Sequence, residues 1–246
     1  NQVMTYFSIA APAFNEEENI QNCINMWIMT FESEGIQDYE IVICNDKSTD
    51  STEKKVLELA ATNPKIKLIN HQINQGAAQA VITAGINATG KYILFTDSDM
   101  QFPREGIEKI ISANTQNPEQ NIFTYRNCKE DGPIQKLGTA VTKTLFNIFS
   151  NTPQKDPSCI LKLYRKSDFQ QLNLKSTGLN VSTEMACRSD ELGHPFIQIE
   201  VPHQKRIAGE ATSQGIRAVK HGTRRIIFLI YYYIRSKMIK YDLISP

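Results

Sequence analysis

Four short apolar runs, each followed by a helical or turn-forming segment, occupy the first hundred residues, and this alternation fixes most of what the chain can become. Tyr6–Ala13 (YFSIAAPA), Tyr39–Asp46, Ile66–His71 and Tyr92–Asp97 read as buried strands. Between them, Glu16–Phe31 carries Ile20, Cys23, Ile24, Trp27, Ile28 and Phe31 on one helical face. Thr52–Ala61 reads as a short helix, and Gly76–Ala88 as a helix of small residues ended by Thr89-Gly90. Strands separated by helices of this length favour parallel βαβ units with right-handed crossovers. The expected fold is therefore α/β, with a mostly parallel central sheet flanked by helices.

Beyond Asn121–Arg126, a fifth strand, the alternation breaks down. Gly132–Asn151 reads as a helix with Leu137, Val141, Leu145 and Phe149 along one side. Ile160–Tyr164 reads as a short strand, Val181–Leu192 as a helix and Phe196–Val201 as a strand. A length of 246 residues allows one large or two small domains. No Pro/Gly/Ser-rich linker divides the halves, so one domain is expected. The last segment, Gln214–Tyr241, has Ile216, Val219, Ile226, Ile230, Ile234 and Met238 at helical spacing. It also carries Arg217, Lys220, Arg224, Arg225, Arg235, Lys237 and Lys240, with no acid before Asp242. A basic amphipathic helix of this kind either lies on an anionic membrane surface or packs on the domain with its charges in water.

Composition narrows the functional classes. A net charge of +1 argues against a protein that coats nucleic acid. The five cysteines (Cys23, Cys44, Cys128, Cys159, Cys187) are scattered without metal-binding spacing and read as reduced core residues of a cytoplasmic protein. The first residues lack a basic leader, and the longest apolar run, Ile226–Ile234, is nine residues. A helical span needs about 20, so no membrane crossing is expected within the sequence as given.

In an open parallel sheet, ligands bind beyond the carboxyl ends of the strands. Strand one ends in Pro12-Ala-Phe14-Asn15-Glu16-Glu17 and strand two in Asn45-Asp46-Lys47-Ser48-Thr49-Asp50. Strand four ends in Asp97-Ser98-Asp99-Met100-Gln101, and strand five in Arg126. Acids and an arginine converging on one edge suit a ligand that combines a cation with phosphates. The Asp97–Asp99 pair is the sharpest of these signals. Where the chain turns out of a strand, both carboxylates can reach one ion, and oxygen donors select hard cations such as Mg²⁺ or Mn²⁺. Asp50, just before Ser51-Thr52-Glu53, suits the cap of the following helix and leaves Asp46 for a base or ribose. The acids after Asn15 also suit a helix start on dipole grounds alone.

Taken together, these stretches resemble the family 2 glycosyltransferases of GT-A type, and within them the polyprenyl-phosphate sugar transferases. The resemblance covers roughly residues 6 to 212. It rests on Ile9-Ala-Ala-Pro-Ala-Phe-Asn-Glu-Glu, Asn45-Asp-Lys-Ser-Thr-Asp, Asn74-Gln-Gly-Ala-Ala and Gly90-Lys-Tyr-Ile-Leu-Phe-Thr-Asp-Ser-Asp-Met-Gln. Asp156 with Leu163-Tyr-Arg-Lys166, Ser182-Thr-Glu-Met185, Glu200-Val-Pro202 and Arg206-x-x-Gly209 follow in order. The resemblance implies a catalytic domain over 1–212, with a donor-binding part at about 5–130 and an acceptor side at about 131–212, followed by the basic helix over 213–246. It implies that Pro12, Phe14 and Glu16 line the nucleotide pocket, with Cys44 and Asp46 beside the base and ribose. Asp97, Asp99 and Gln101 would hold Mg²⁺ or Mn²⁺ and the diphosphate, with Ser98 between them on the donor side. Arg126 matches an arginine near the phosphates, Arg206 one on a closing segment that meets donor and acceptor, and Lys136 a positive charge for the acceptor.

The implied reaction moves a sugar from a UDP- or GDP-linked donor to a polyprenyl phosphate with inversion, in the cytoplasm or at the cytoplasmic membrane face through residues 214–241. An alternative acceptor is the hydroxyl of a polysaccharide or glycolipid intermediate, which requires a base, and Glu184 is the candidate. This sequence departs from the family pattern at Asn45 (an acid), Lys47 (glycine), Leu161 and Lys162 (Phe and Arg), and Ala211 and Thr212 (Ser and Lys). Two rivals come from other classes. A nucleotidyltransferase needs a glycine-rich loop after strand one, and no glycine precedes Gly35. A non-catalytic nucleotide-sugar binding module sits poorly with retention of both Asp97 and Asp99.

Overall fold

The computed structural model describes residues 6–127, 133–177, 181–206 and 216–240. In chain order the elements are β1 (Phe7–Ala13), α1 (Ile20–Ser33), β2 (Tyr39–Asn45), α2 (Thr52–Thr62), β3 (Ile66–Asn70) and α3 (Ala77–Asn87). Next come β4 (Tyr92–Phe95), α4 (Arg104–Gln116), β5 (Asn121–Asn127), α5 (Pro133–Phe149) and β6 (Lys162–Arg165). The last are α6 (Lys166–Gln171), α7 (Val181–Glu191), β7 (Phe196–Pro202) and α8 (Ile216–Lys240). The sequence-based positions of Cys128, Gly132, Gly209, Ala211, Thr212, Gln214 and Tyr241 lie outside the described residues.

One sheet of seven strands, in the order β3-β2-β1-β4-β6-β5-β7, organises the molecule. β1 pairs in parallel with β2 and β4, β2 with β3, and β5 with β7. Only β6 runs the other way, antiparallel to both β4 and β5. Six strands therefore end on the same edge, and β6 begins there. That inversion brings the loop before β6 to the edge where the parallel strands finish. β1 and β2 are buried almost throughout, as expected for strands covered on both faces. Helix α1 buries Ile20, Cys23, Ile24, Trp27 and Phe31 against them.

The alternating strands and helices of the first half match the sequence reading to within a few residues, and the chain as described has two further helices. Helix α4 was not anticipated, although Gly106, Ile107, Ile110 and Ile111 form its buried face and Pro103 precedes its first turn. Helix α6 is only six residues long, too short for periodicity to reveal. β4 stops at Phe95, two residues earlier than expected, so Asp97 belongs to the turn and not to the strand. Gly90 is required where it stands, because a Cβ there would lie 2.7 Å from the Ser8 nitrogen.

Lys47, at the position where a glycine is usual, has φ +61°. An L-residue pays roughly 1–2 kcal/mol for this left-handed conformation. Lys47→Gly is therefore expected to stabilise the protein by about 1 kcal/mol, read as a higher urea midpoint at unchanged slope. An unchanged or lower midpoint would show that the lysine side chain compensates for its backbone.

Helix α8 docks on α5 and α7. The Tyr232 hydroxyl donates to the Cys187 carbonyl, and Arg235 pairs with Glu191 at 2.6 and 2.8 Å. Tyr233 stacks on Phe149 with centroids 4.0 Å apart. Leu229 and Tyr232 are buried, whereas Ile227, Ile230, Tyr231 and Ile234 are exposed at helical spacing. The helix is thus apolar on its packed side and again on part of its outer side. Among the described residues, no helix is long and apolar enough to cross a membrane. Cys23, Cys44, Cys159 and Cys187 are buried and unpaired.

Candidate active site

Two loops at the carboxyl edge are locked together by side chain to backbone hydrogen bonds. After β1, the backbone N–H groups of Asn15, Glu16 and Glu17 donate to Ser48 Oγ (3.0 Å), Thr52 Oγ1 (2.8 Å) and Asp50 Oδ2 (3.1 Å). Asn15 returns the contact by accepting the Thr49 N–H at 2.9 Å. Asp50 also accepts the Thr52 N–H at 2.9 Å, at the start of α2, so it serves both loops. Burial pushes the Asp50 carboxyl up, but the Thr52 and Glu17 hydrogen bonds outweigh it and hold the group below its ordinary value.

Asp46, buried at the end of β2, is engaged on both oxygens. Oδ1 accepts His71 Nδ1 at 2.7 Å and the Gln75 N–H at 2.8 Å, and Oδ2 accepts the Gly76 N–H at 2.8 Å. Gly76 has φ +91° and ψ 157°, which only glycine adopts readily, and it leads directly into α3. With Nδ1 donating to Asp46, His71 Nε2 accepts from Thr83 Oγ1 at 2.9 Å, and Cys44 Sγ lies 3.4 Å from the same nitrogen. Burial and the Asp46 charge push the Cys44 thiol up to about 12, so it is no nucleophile. Cys44 has no exposed surface, and its sulfur packs against His71. Of the roughly four lone-pair positions of a carboxylate, Asp46 has one left for a ligand. Pro12 lends its carbonyl to Ser98 Oγ at 2.6 Å, which fastens the turn after β4 to β1. Phe14 is 45% exposed beside this junction.

Three carboxylates meet where these loops converge. Asp99 and Glu16 are buried, and Asp97 is partly so. Burial, Asp99 and Glu16 raise the Asp97 carboxyl to about 7, against the opposing charges of Arg126 and Arg206. Burial also raises Asp99 and Glu16. Arg206 Nη2 reaches both Glu16 oxygens at 2.6 and 2.5 Å, and its Nη1 lies 3.8 Å from Asp99 Oδ2. Gln204 delivers Arg206 to this position by zipping onto the turn after β4. The Gln204 N–H donates to the Gln101 carbonyl at 3.0 Å, and Gln204 Nε2 to the Met100 carbonyl at 2.7 Å. The Gln101 N–H in turn donates to Asp99 Oδ1 at 3.1 Å. Gln101 Nε2 lies 3.4 Å from the Gln204 carbonyl.

This crowding has a measurable consequence. A carboxyl raised in the folded state holds a proton that the unfolded chain releases. The associated stabilisation is complete below pH about 4 and is lost as pH rises through about 7. In chelator at pH 8, Asp97→Asn is therefore expected to be more stable than the parent by on the order of 1–3 kcal/mol. The gap should narrow toward pH 5, as urea midpoints at the two pH values will show. A variant less stable than its parent at pH 8 would contradict the crowding.

Arg126, at the end of β5, is held from the loop before β6. Its Nε donates to Asp156 Oδ2 at 2.7 Å, and its Nη2 to Ser158 Oγ at 3.1 Å. Burial raises the Asp156 carboxyl, but Arg126 and Ser158 outweigh it and hold the group below its ordinary value. Lys162, wholly buried at the start of β6, donates to the Cys159 carbonyl and braces the same loop, and desolvation lowers its ammonium to about 8. Asp156 was legible only as part of a motif, and its partnership with Arg126 required knowing that β6 is antiparallel.

The other two expected site residues stand on helices α5 and α7. Lys136 is exposed in the first turn of α5. Glu184, buried in the first turn of α7, accepts the backbone N–H groups of Lys175 (2.9 Å) and Ser176 (2.8 Å). No contact of the described residues ties Glu184 to the three carboxylates.

The turn after β4 carries Asp97 and Asp99, and Glu16 is linked to Asp99 through Arg206. Among the described residues no group of three His, Cys, Asp or Glu side chains is arranged to hold a metal ion, so a divalent cation here would need further oxygens from its ligand. These hard oxygen donors would hold Mg²⁺ or Mn²⁺ together with ligand oxygens. The family model described as Glycosyl transferase family 2 matches residues 8–173. The chain is similar to the undecaprenyl-phosphate 4-deoxy-4-formamido-L-arabinose transferase of Edwardsiella ictaluri, with 25% identity over 94% of this chain and 67% of that protein. The protein of the same description from Shewanella sediminis is 23% identical over 96% of this chain and 68% of its own length. Among solved structures, glucosyl-3-phosphoglycerate synthase from Mycobacterium tuberculosis with Mn²⁺, UDP-glucose and phosphoglyceric acid superposes with a TM-score of 0.68. That match has 16% identity and covers 93% of this chain and 80% of that one. The mannosyltransferase of Pyrobaculum calidifontis with GDP-mannose and Mn²⁺ gives 0.67 at 17% identity, covering 93% and 64%.

Proposed function

Because the chain belongs to glycosyl transferase family 2 and has a GT-A fold, we propose that it transfers a sugar from a UDP- or GDP-linked donor to a polyprenyl phosphate, with Asp97 and Asp99 at the centre of its donor site. The observation that carries this reading is the group of three crowded carboxylates at the sheet edge, flanked by Arg206 and Arg126. Asp97 and Asp99, with Gln101 adjoining, would hold Mg²⁺ or Mn²⁺, which supplies charge neutralisation for a departing nucleoside diphosphate. Pro12, Phe14 and Asp46 border the space for the nucleotide, with Cys44 and Ser98 behind them. Arg206 is placed to exchange its contact with Glu16 for donor phosphate oxygens. Arg126, oriented by Asp156, offers a second guanidinium to developing negative charge.

In the proposed reaction an acceptor phosphate oxygen bonds to the sugar C1 as the C1–O bond to the diphosphate breaks, with inversion. The acceptor is ionised at neutral pH, so no strong base is required. The engagement of Glu184 by backbone N–H groups favours this acceptor over a hydroxyl. The relatives described as undecaprenyl-phosphate transferases support the same choice. The division into a catalytic domain over 1–212 and a terminal helix over 213–246 is part of this proposal.

The exposed Ile227, Ile230, Tyr231 and Ile234, with Arg224 and Lys237 on the same helix, suit contact with an anionic membrane surface that carries a lipid acceptor. Ile230→Glu with Tyr231→Glu is expected to reduce co-flotation with anionic liposomes at least about tenfold without lowering the melting temperature. Undiminished flotation removes the membrane role.

The acceptor test incubates a panel of UDP- and GDP-sugars with Mn²⁺ and either undecaprenyl phosphate or a neutral glycolipid. Sugar–phosphate-linked lipid is the expected product. Transfer only to the glycolipid hydroxyl would replace the acceptor, and no transfer from any donor would reject the reading.

A further inference from the structure

Behind the donor edge lies His71, the residue after β3, which is buried with both ring nitrogens engaged. Its backbone N–H donates to the Asn45 carbonyl at 3.0 Å, and Thr83 Oγ1 on α3 lies 2.9 Å from Nε2, so the ring is fixed from two sides. The backbone of Asp46 is fixed independently. Its N–H donates to the Ala13 carbonyl at 2.9 Å, and its carbonyl accepts Asn74 Nδ2 at 3.0 Å. These contacts leave the rotation of the Asp46 carboxylate open. Oδ2 accepts one hydrogen, from the Gly76 N–H, whereas Oδ1 accepts two, from the Gln75 N–H and His71 Nδ1. Each carboxylate oxygen has two lone pairs, so the open position is on Oδ2. Among the described residues, His71 is the one side chain that donates to this carboxylate. Burying an imidazole is favourable only where its nitrogens find partners, and here one partner is an acid of the donor edge.

We propose that His71 is a positioning residue for the donor nucleotide. By filling Oδ1 it fixes the plane of the Asp46 carboxylate and presents the open Oδ2 lone pair to a hydrogen-donating group of the nucleoside. That group is either a nucleobase N–H or a ribose hydroxyl, since an ionised carboxylate can only accept. The role rests on the glycosyl-transfer reading, in which Asp46 borders the space for the nucleotide. The imidazole itself stays behind the carboxylate and acts through it.

The test titrates UDP and GDP, with Mn²⁺, into the full chain and into His71→Asn and His71→Leu. The Asn amide nitrogen stands where Nδ1 does and can still donate to Oδ1, whereas Leu offers no hydrogen. His71→Leu is expected to weaken the nucleotide that binds the parent by about tenfold or more, the worth of a hydrogen bond to a charged group, and His71→Asn to restore affinity to within about threefold of the parent. The 2′-deoxy and 3′-deoxy forms of the same nucleotide then identify the group that Asp46 takes. If it is a ribose hydroxyl, removing that hydroxyl costs less in His71→Leu than in the parent; if it is the base, the two losses add. Equal losses in the Asn and Leu variants overturn the role, because the ring is then a packing element. Unchanged affinity in His71→Leu overturns it as well, as does failure of that variant to fold. A parent protein that binds neither UDP nor GDP overturns the glycosyl-transfer reading and the role of His71 with it.

Discussion

Asp99→Asn is expected to reduce sugar transfer by on the order of a thousandfold or more, with a melting temperature no lower than that of the parent. Asp99 is buried in the turn after β4, and the Gln101 N–H at 3.1 Å fixes one of its oxygens. The amide that replaces it is similar in shape but brings no charge, so the cation and the diphosphate lose a ligand while the turn keeps its course. Stability should not suffer, because burial already disfavours the ionised carboxyl and Arg206 makes its close contacts with Glu16. Initial rates of nucleotide release, compared with thermal melts of the same preparations, separate the two effects. Undiminished turnover would remove Asp99 from the chemistry, and a collapse in melting temperature would make it a fold residue.

The second large effect is expected on stability. Asp156→Asn should cost about 3–5 kcal/mol, the range for removing one partner of a buried ion pair. Here the penalty falls on Arg126, whose Nε contact at 2.7 Å would be lost, with Arg225 close by and of the same sign. Asp156 is held below its ordinary value, so its contribution is present above pH about 4 and is lost as pH falls through the lowered folded value. Urea unfolding at pH 7 measures the loss. A difference under about 1 kcal/mol would mean that Arg126 finds another partner, as an exposed pair would allow.

The sequence showed most of the donor half because the relevant signals are local. Apolar runs at strand period, helices between them and acids where the strands stop led to one edge of one sheet, where Glu16 and Asp99 share Arg206. The ends of the strands were less clear, since Thr96 and Asp97 have strand-like neighbours but leave the ladder after Phe95. What the sequence hid depends on topology. β6 lies between β4 and β5 and runs against them, which places Asp156 under Arg126 from thirty positions away. Asp46 illustrates a different limit. Its place after a buried strand was plain, but its hold on His71, Gln75 and Gly76 depends on how β3 and α3 pack against β2. Arg225 was one of seven basic residues in a helix, and only docking distinguishes it from those that face solvent.

The central claim is that Asp97 and Asp99 form a cation-dependent site for a nucleotide-sugar. Calorimetric titration of UDP and GDP into the parent protein and Asp99→Asn, with Mn²⁺ and then with chelator, tests it most directly. The account predicts that one nucleotide binds the parent with Mn²⁺, that chelator weakens this binding at least about tenfold, and that Asp99→Asn shows the weakened affinity under both conditions. Equal affinity in all four measurements would contradict it.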